Sequence, residues 1–334
     1  MARFNATRDR LGPHELVVLS DGQRELRVRI ARRGATVLGI ELPVHGAVRS
    51  LADGYLDQAE LESRPSSRFA VMAPFANRIG DARYRYDGRD YDLQPGVAGA
   101  ARAARHGFLR GVDFELARLE ADAQGALAVF ATGAIRPGAH PGYPFAIDFE
   151  LHYRLTAEGL GLEAVMRNVG DAAAPCFFGW HPYFRVDAGS IEDWELHVPA
   201  RLLVRTDAES IPLPGAAAYA PVASDPARDF STPRAIGGTV LDVAYSGLEP
   251  EADGRIRTRL RDPASGLTLA IWQERGVMLA FTADTVAREP RGAVALEPME
   301  SMANAFNRED CADAIRLEPG AERRFRCGVE IELP

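Results

Sequence analysis

The sequence predicts an all-β protein, a large antiparallel β-sandwich, from three observations. Apolar and polar residues alternate with period two along many short segments, helical periodicity is scarce, and 31 glycines and 22 prolines punctuate the chain. Short strands separated by turn residues are typical of sandwiches. No low-complexity linker and no repeat of fixed period divides the 334 residues, so we expect one domain over residues 1–334.

The strands follow the alternating segments in chain order. Asp87-Gly88 marks a hairpin turn, and a Ser-Asp-Gly turn at residues 20–22 joins the first two segments. Short helices are expected only at residues 56–62 and 310–315, with a loop at residues 97–104. The segments that predict strands are residues 16–19, 25–30, 84–86, 91–93, 145–155, 162–166, 255–260, 267–272, 277–281, 294–297 and 323–331.

Composition and charge exclude several classes of function. The net charge is −8, so no global basic field exists to hold nucleic acid. All 39 basic residues are arginine, and without lysine the chain has neither a Schiff-base nucleophile nor a P-loop lysine. No apolar run approaches the roughly 18 residues that span a bilayer, so no membrane partner is expected.

The cysteine pattern indicates a reducing compartment. Cys176, Cys311 and Cys327 are odd in number and include no CxxC pair, which argues against a disulfide framework and a cysteine zinc site. The first residues show no apolar signal-peptide region. We therefore expect a cytoplasmic protein.

Four segments place ionisable groups among aromatic, proline or glycine residues. Taken singly, His106 is explained as a turn histidine and Trp180 as a core residue. Glu297 is harder to explain as a structural residue, because it lies between Leu296 and Pro298 and burying a carboxylate is costly. The segments are residues 74–80, 105–108, 179–184, and 296–299 with 304–307.

Together these segments resemble the aldose 1-epimerase family from about residue 12 to the C-terminus. The order of Asn-Arg-Ile, His-Gly, His-Pro-Tyr-Phe and a late glutamate followed by Asn-Ala-Phe carries the resemblance. It implies a sandwich of the galactose-mutarotase (supersandwich) type, with the active site on a sheet face. It also implies an isomerase for a small-molecule sugar, as monomer or homodimer, with no cofactor and no metal.

The resemblance implies a role for each matching residue. Glu297 is expected to be the base and His181 the acid, with His106 near the ring oxygen. The expected substrate-binding residues are Arg78, Asp242, Asn77, Trp180 and Phe306, where Asn77 alternatively braces its turn. Two departures from the family pattern stand out. Asp113-Phe114 replaces a tryptophan, and Pro298-Met299-Glu300 follows the base, which makes Glu300 a rival for its role.

The implied reaction is the opening and reclosure of a cyclic hemiacetal, which interconverts α and β anomers. It needs one acid and one base, and a carboxylate and an imidazole suit neutral pH.

Several alternatives stay open. One is a non-catalytic sugar-binding module, and another is a metal hydrolase with His106, His181 and Glu297 as ligands. A third is an epimerase for hexose 6-phosphate or another anionic hexose, in which Arg102, Arg105 and Arg110 bind the anion. A nucleophile pair of Cys176 and His181 is discounted, because five strand residues separate side chains by roughly 16 Å. No G-x-S-x-G element supports a serine hydrolase.

Overall fold

The computed structural model describes residues 2–99, 102–186 and 190–333, and confirms the predicted antiparallel all-β architecture. The first half of the strands are β1 (Phe4–Leu11), β2 (His14–Asp21), β3 (Leu26–Ala31), β4 (Thr36–Val44), β5 (Ala47–Ser50), β6 (Ala70–Met72), β7 (Arg78–Ile79), β8 (Arg83–Tyr86), β9 (Arg89–Asp92), β10 (Ala104–Arg105), β11 (Glu115–Ala121), β12 (Ala126–Ile135), β13 (Ile147–Leu155) and β14 (Gly159–Asn168). The second half are β15 (Ala174–Pro175), β16 (Gly179–His181), β17 (Tyr183–Phe184), β18 (Glu195–His197), β19 (Ala200–Val204), β20 (Tyr219–Pro221), β21 (Arg234–Ala235), β22 (Asp242–Leu248), β23 (Ile256–Arg261), β24 (Thr268–Gln273), β25 (Val277–Phe281), β26 (Val294–Met299), β27 (Arg316–Leu317) and β28 (Glu322–Glu332).

Two large sheets dominate the molecule. One has nine strands in the order β11-β12-β13-β14-β28-β24-β23-β18-β21. The other follows the order β20-β19-β22-β25-β26-β16-β6, and β17 also pairs with β26. The five-stranded sheet β1–β5 contacts β11 and β12 through its first two strands, and three short pairs, β7–β10, β8–β9 and β15–β27, complete the described sheets.

Alternation along single strands explains how these sheets bury a core. In β13, Ile147, Phe149, Leu151 and Tyr153 are buried, while the residues between them are half-buried. Because successive strand residues point to opposite faces, this pattern buries one side of the sheet only. The main hydrophobic cluster gathers such residues from Phe4 to Ile331.

Helices are short, as the sequence predicts. Helix α1 (Gln58–Ser63) begins at Asp57, whose side chain accepts a hydrogen bond of 2.9 Å from the Glu60 amide. Helix α2 (Ala312–Ile315) is a single turn. No helix among the described residues is long and apolar enough to cross a membrane. The predicted loop over residues 97–104 lies partly outside the described residues, and its last residue begins β10.

Candidate active site

A cavity of about 260 Å³ opens beside the sheet that contains β16, β22, β25 and β26. It brings together groups that are far apart along the chain, because those strands pair antiparallel. Asp242 lies opposite Phe281, which lies opposite Ala295, and Ala295 lies opposite Tyr183. Six predicted site residues line the cavity: Asn77, Arg78, His106, His181, Asp242 and Glu297.

Glu297 lies inside β26, opposite Leu279, with 2% of its surface exposed. Its Oε1 is 3.3 Å from Nε2 of His181, and its Oε2 has no hydrogen-bond partner among the described residues. Burial raises the pKa of Glu297 well above its usual value, the nearby Asp242 raises it further, and Arg78 opposes both effects. The site therefore holds a carboxyl group that readily keeps a proton.

His181 faces Glu297 from β16, where it pairs with Ala70. Its imidazole stacks on the Tyr183 ring with centroids 5.1 Å apart and planes 10° apart. Nδ1 is buried without a partner in the part of the chain that the structure describes. Burial lowers the pKa of His181 to about 3, and the cations Arg110 and Arg68 lower it further.

His106 approaches the same pair from a turn next to β10. Both His106 and Asn77 have left-handed backbone angles, φ 59° and 57°, and the His106 amide donates to the Asn77 carbonyl at 2.8 Å. Gly107 follows because a Cβ there would lie 2.0 Å from the Ala73 carbonyl oxygen. The His106 ring centroid is 5.2 Å from that of His181, and burial lowers the pKa of His106 well below its usual value.

Arg78 and Asp242 give the cavity a donor and an acceptor. Asn304 fixes the Arg78 turn, because its amide donates to the Arg78 carbonyl at 2.6 Å and its Oδ1 accepts from Gly80 at 3.0 Å. Arg78 donates to Asn77 Oδ1 at 3.0 Å, and burial lowers the pKa of Arg78. Asp242 is exposed at the start of β22. This arrangement suits recognition of neutral hydroxyl groups.

The structure corrects the predicted placement of Trp180 and Phe306. Trp180 is fully buried, with its ring against Phe69 and Phe184, because it precedes His181 on β16 and so points to the opposite face. Phe306 is 3% exposed inside another aromatic cluster. Neither ring lines the cavity.

Phe281 and Tyr183 supply the aromatic surface of the cavity instead. In the sequence, Tyr183 stands out only as part of the His-Pro-Tyr-Phe motif, and no motif marks Phe281. The available signal for Phe281 was its position at the end of a predicted strand. That Phe281 lies next to Asp242, however, is known only from the pairing of β22 with β25.

The rival carboxylate Glu300 is buried but lies outside the cavity. It accepts a hydrogen bond of 2.6 Å from Arg275 and one of 3.2 Å from the Phe178 amide, and it lies 3.0 Å from Arg323 Nε. Two arginines and an amide are a complete set of partners for a buried carboxylate. Glu300 is therefore part of a structural ion cluster.

The three arginines considered for anion binding separate in the structure. Arg102 contacts Asp81 and Asp92 and also donates to backbone carbonyls, so its guanidinium is occupied. Arg110 donates to Ser67 Oγ at 2.6 Å. Arg105 is exposed and lines the cavity.

The remaining expectations concern metal and thiol chemistry. Within residues 2–99, 102–186 and 190–333, no three His, Cys, Asp or Glu side chains are grouped as metal ligands would be. Cys176 is fully buried away from the cavity, and burial raises the pKa of its thiol to about 12. Neither a His₂Glu metal centre nor a cysteine nucleophile has support in this geometry.

A model of the aldose 1-epimerase family matches residues 15–330. The chain belongs to this family. Among curated proteins, it is 27% identical over 256 residues to the uncharacterised protein YihR of Escherichia coli K12, covering 76% of each chain.

Two solved structures have the same fold. A galactose mutarotase-like protein from Clostridium acetobutylicum superposes with a TM-score of 0.84 at 14% identity, covering 99% of both chains. The galactose 1-epimerase of Lactobacillus acidophilus superposes with a TM-score of 0.79 at 16% identity, covering 100% of this chain and 99% of that one. At these identities the likeness establishes the galactose mutarotase-like fold, as the sequence predicts.

Proposed function

We propose that this aldose 1-epimerase family member is a mutarotase, which interconverts the α and β anomers of a hexose without a cofactor. The observation that supports this most directly is the buried Glu297, 3.3 Å from His181 in a cavity lined by sugar-binding groups. A carboxylate buried with one oxygen unpartnered is costly, and such groups cluster at catalytic sites.

The chemistry needs one proton shared between two groups. Glu297 takes the proton of the C1 hydroxyl while His181 donates one to the ring oxygen, and the bond between C1 and that oxygen breaks. The open aldehyde rotates about its C1–C2 bond, and the same transfers in reverse close the ring on either face. Each positioned acid or base contributes roughly 10²–10⁴-fold to the rate.

Burial sets the proton count of the pair. It raises the pKa of Glu297 and lowers the pKa of His181, so at a pH between those two values the two groups together hold one proton. When the proton is on His181, the pair is ready to act in the roles given above. Because epimerisation regenerates the starting groups, one turnover leaves this proton count unchanged.

The other cavity residues orient the sugar. Arg78 offers a fork of donors to hydroxyl oxygens, and Asp242 accepts from hydroxyl groups. His106, whose ring is 5.2 Å from His181, contacts the sugar near the ring oxygen, and Asn77 holds the turn that carries Arg78. Phe281 offers its ring to the C–H face of the sugar.

A sugar-binding module that does no chemistry would use the same arginine, aspartate and aromatic rings. It would gain nothing from burying Glu297 against His181, because that pair contributes desolvation cost without adding a sugar platform. The geometry therefore favours the enzyme over the binding module.

Arg105 favours a second candidate, an epimerase for a hexose with an anionic substituent. Arg105 lies directly opposite Arg78 in the β7–β10 pair, and like charges in that position repel each other. Both arginines also line an adjoining cleft of about 530 Å³. Among the described residues, no carboxylate lies within ion-pair distance of either guanidinium, so a ligand anion is a natural counterion.

Optical rotation tests the proposed activity. Freshly dissolved α-D-glucose and α-D-galactose are followed in EDTA with the wild type, Glu297→Gln and His181→Asn. We expect fast relaxation with the wild type and a loss of about 10²–10⁴-fold in each variant. Glu309→Gln, at an exposed glutamate, is the matched control and should relax like the wild type. Wild-type protein that accelerates no sugar would overturn the proposal.

NMR anomer exchange tests the second candidate with glucose 6-phosphate. If the anion binds Arg105, Arg105→Gln should lower kcat/KM for glucose 6-phosphate by about tenfold or more and leave glucose unaffected. Arg89→Gln, at an exposed arginine of the β8–β9 hairpin, controls for net charge. Equal effects of both variants, or of Arg105→Gln on both sugars, would contradict the candidate.

A further inference from the structure

Tyr183 connects the catalytic histidine to a buried cation. Its ring stacks on the His181 imidazole with centroids 5.1 Å apart, and the Arg68 guanidinium carbon lies 5.1 Å from the centroid of the same ring. The phenol hydroxyl donates to the Ser66 carbonyl at 3.0 Å. Tyr183 itself pairs with Ala295 on β26, the strand that carries Glu297. One aromatic ring therefore contacts the histidine, the cation and a loop of the cavity wall.

Arg68 is held rigidly although it is 1% exposed. Its guanidinium forms an ion pair with Asp53 and donates to the Asp53 carbonyl at 3.2 Å and to the Arg288 carbonyl at 3.3 Å. Asp53 is itself buried and also accepts from Arg185 at 3.0 Å and Arg288 at 2.8 Å. Arg185 also pairs with Glu289 and Arg288 with Glu60, so the network is fixed from several directions.

The loop that Tyr183 binds is also under backbone strain. Ser66 and Ser67 have φ of 58° and 55°, in the left-handed region that non-glycine residues seldom adopt. Both serines line the cavity. Strained residues persist where surrounding contacts hold them and gather at functional sites. The hydrogen bond from the Tyr183 hydroxyl is one of those contacts.

We propose that Tyr183 and Arg68 are positioning residues for His181. The phenol ring fixes the plane of the imidazole so that Nε2 faces Glu297 and the sugar, and Arg68 anchors the ring from the Asp53 network. Neither residue exchanges a proton with the substrate. This inference rests on the proposed function, because it assigns His181 the acid role in that reaction.

The electrostatic surroundings support a second effect of the same contacts. Arg68 and Arg110 are cations close to His181, and both lower its pKa, in addition to the larger effect of burial. Removing Arg68, or admitting water by removing the Tyr183 ring, raises the pKa of His181 towards its ordinary value. The titratable and charged groups that face His181 are Glu297, His106, Tyr183, Arg68 and Arg110.

The test measures kcat, KM and the pH profile for glucose anomerisation in Tyr183→Leu, Tyr183→Phe and Arg68→Met. In Tyr183→Leu we expect kcat to fall by about 10²-fold, the effect of a misplacement near 1 Å, with KM changed by less than about threefold. Tyr183→Phe keeps the ring, so its loss should not exceed about tenfold. In Tyr183→Leu and Arg68→Met the acidic limb of the profile should move to higher pH.

Arg185→Met is the matched control, because it also removes an arginine from Asp53 but leaves the Tyr183 ring untouched. It should keep the wild-type pH profile. Nitrogen-15 NMR of the histidine rings, in protein without sugar, reads the protonation of His181 directly and should follow the kinetic limb. If Arg68→Met does not fold, the two Tyr183 variants decide the question.

Two results separate the possible failures. If the wild type accelerates anomerisation but Tyr183→Leu keeps kcat and the wild-type pH limb, the positioning role is wrong while the mutarotase function stands. If the wild type accelerates no sugar, the function is wrong, and an unchanged His181 titration in Tyr183→Leu and Arg68→Met would also remove the structural basis of the positioning role.

Discussion

Two buried glutamates, three residues apart, differ almost entirely in their partners. Glu297 is 2% exposed and Glu300 is 6% exposed. Glu300 is neutralised by Arg275 and Arg323 and accepts a hydrogen bond from a backbone amide. Glu297 faces a histidine at 3.3 Å and a cavity, and its Oε2 is without a partner in the described residues.

The difference separates a carboxylate with structural partners from the one that we propose to react. A buried carboxylate with two guanidinium partners has its charge balanced and its oxygens occupied. A buried carboxylate without such partners keeps a raised pKa and can exchange a proton with a bound molecule. Burial alone is shared by both residues, so the partners decide the role.

The largest expected effect is on activity. Glu297→Gln removes the proton acceptor but keeps the side-chain shape, so we expect kcat/KM for glucose to fall by about 10²–10⁴-fold. Glu300→Gln should stay within about threefold of the wild type per folded molecule, because Glu300 touches no cavity residue used in the reaction. Polarimetry of both variants at equal folded concentration measures this. Comparable losses in the two variants would contradict the different roles given to Glu297 and Glu300.

The effect on stability should run the other way. Glu300→Gln leaves two arginines without their shared carboxylate, and we expect a loss of about 2 kcal/mol in the free energy of unfolding. That value is below the usual cost of breaking a buried pair because the Arg275 side chain is 42% exposed. Glu297→Gln should change the free energy of unfolding by less than about 1 kcal/mol, or increase it. Urea unfolding followed by tryptophan fluorescence gives both numbers, and a larger loss in Glu297→Gln would contradict this account.

Two aromatic residues show the same contrast between a cavity residue and a core residue, with smaller expected effects. Phe281→Ala removes a ring from the cavity, so KM for glucose should rise by about two- to tenfold with little change in kcat, as expected for a contact worth roughly 0.5–1.5 kcal/mol. Trp180→Phe should lower the free energy of unfolding by about 1–3 kcal/mol and leave KM unchanged, because its ring is in the core. Steady-state kinetics and urea unfolding of both variants test this. A rise of KM in Trp180→Phe would restore that residue to the sugar platform.

The sequence predicts those strands whose alternation is clear, because alternation is local. The segment at residues 277–281 is strand β25 with the same bounds, and the Asp87-Gly88 turn lies in the β8–β9 hairpin. Strands β1, β4, β11, β12, β19 and β22 were missed. Most residues of β1 are exposed and alternate weakly, whereas the first five residues of β12 are all buried and do not alternate. The same alternation places the adjacent residues Trp180 and His181 on opposite faces of their strand, so only one of the two can face the cavity.

The candidate site depends on information that a single sequence does not contain. The partners that make Glu300 structural, Arg275 and Arg323, come from other parts of the chain and are set by sheet pairing. Ser66 and Ser67 adopt left-handed backbone angles although neither is a glycine, so the sequence does not indicate this conformation. Motif order brought the six cavity residues together as candidates, whereas their partners and burial, which decide their chemistry, needed the fold.

The smallest expected effect is the change of kcat/KM with pH, which depends on the buried pair of Glu297 and His181. The pair of Glu297 and His181 holds one proton over the range between the lowered pKa of His181, about 3, and the raised pKa of Glu297. Activity is lost on the acid side only when the pair binds a second proton, at His181. It is lost on the alkaline side only when the pair loses its single proton. We therefore expect acidification from pH 6.5 to pH 5, where a histidine with its ordinary pKa would titrate, to lower kcat/KM by less than about twofold. Stopped-flow polarimetry, corrected for uncatalysed mutarotation at each pH, measures the profile. An acidic limb centred near the ordinary histidine value would mean that His181 is solvated. The contrast drawn between Glu297 and Glu300 would then fail.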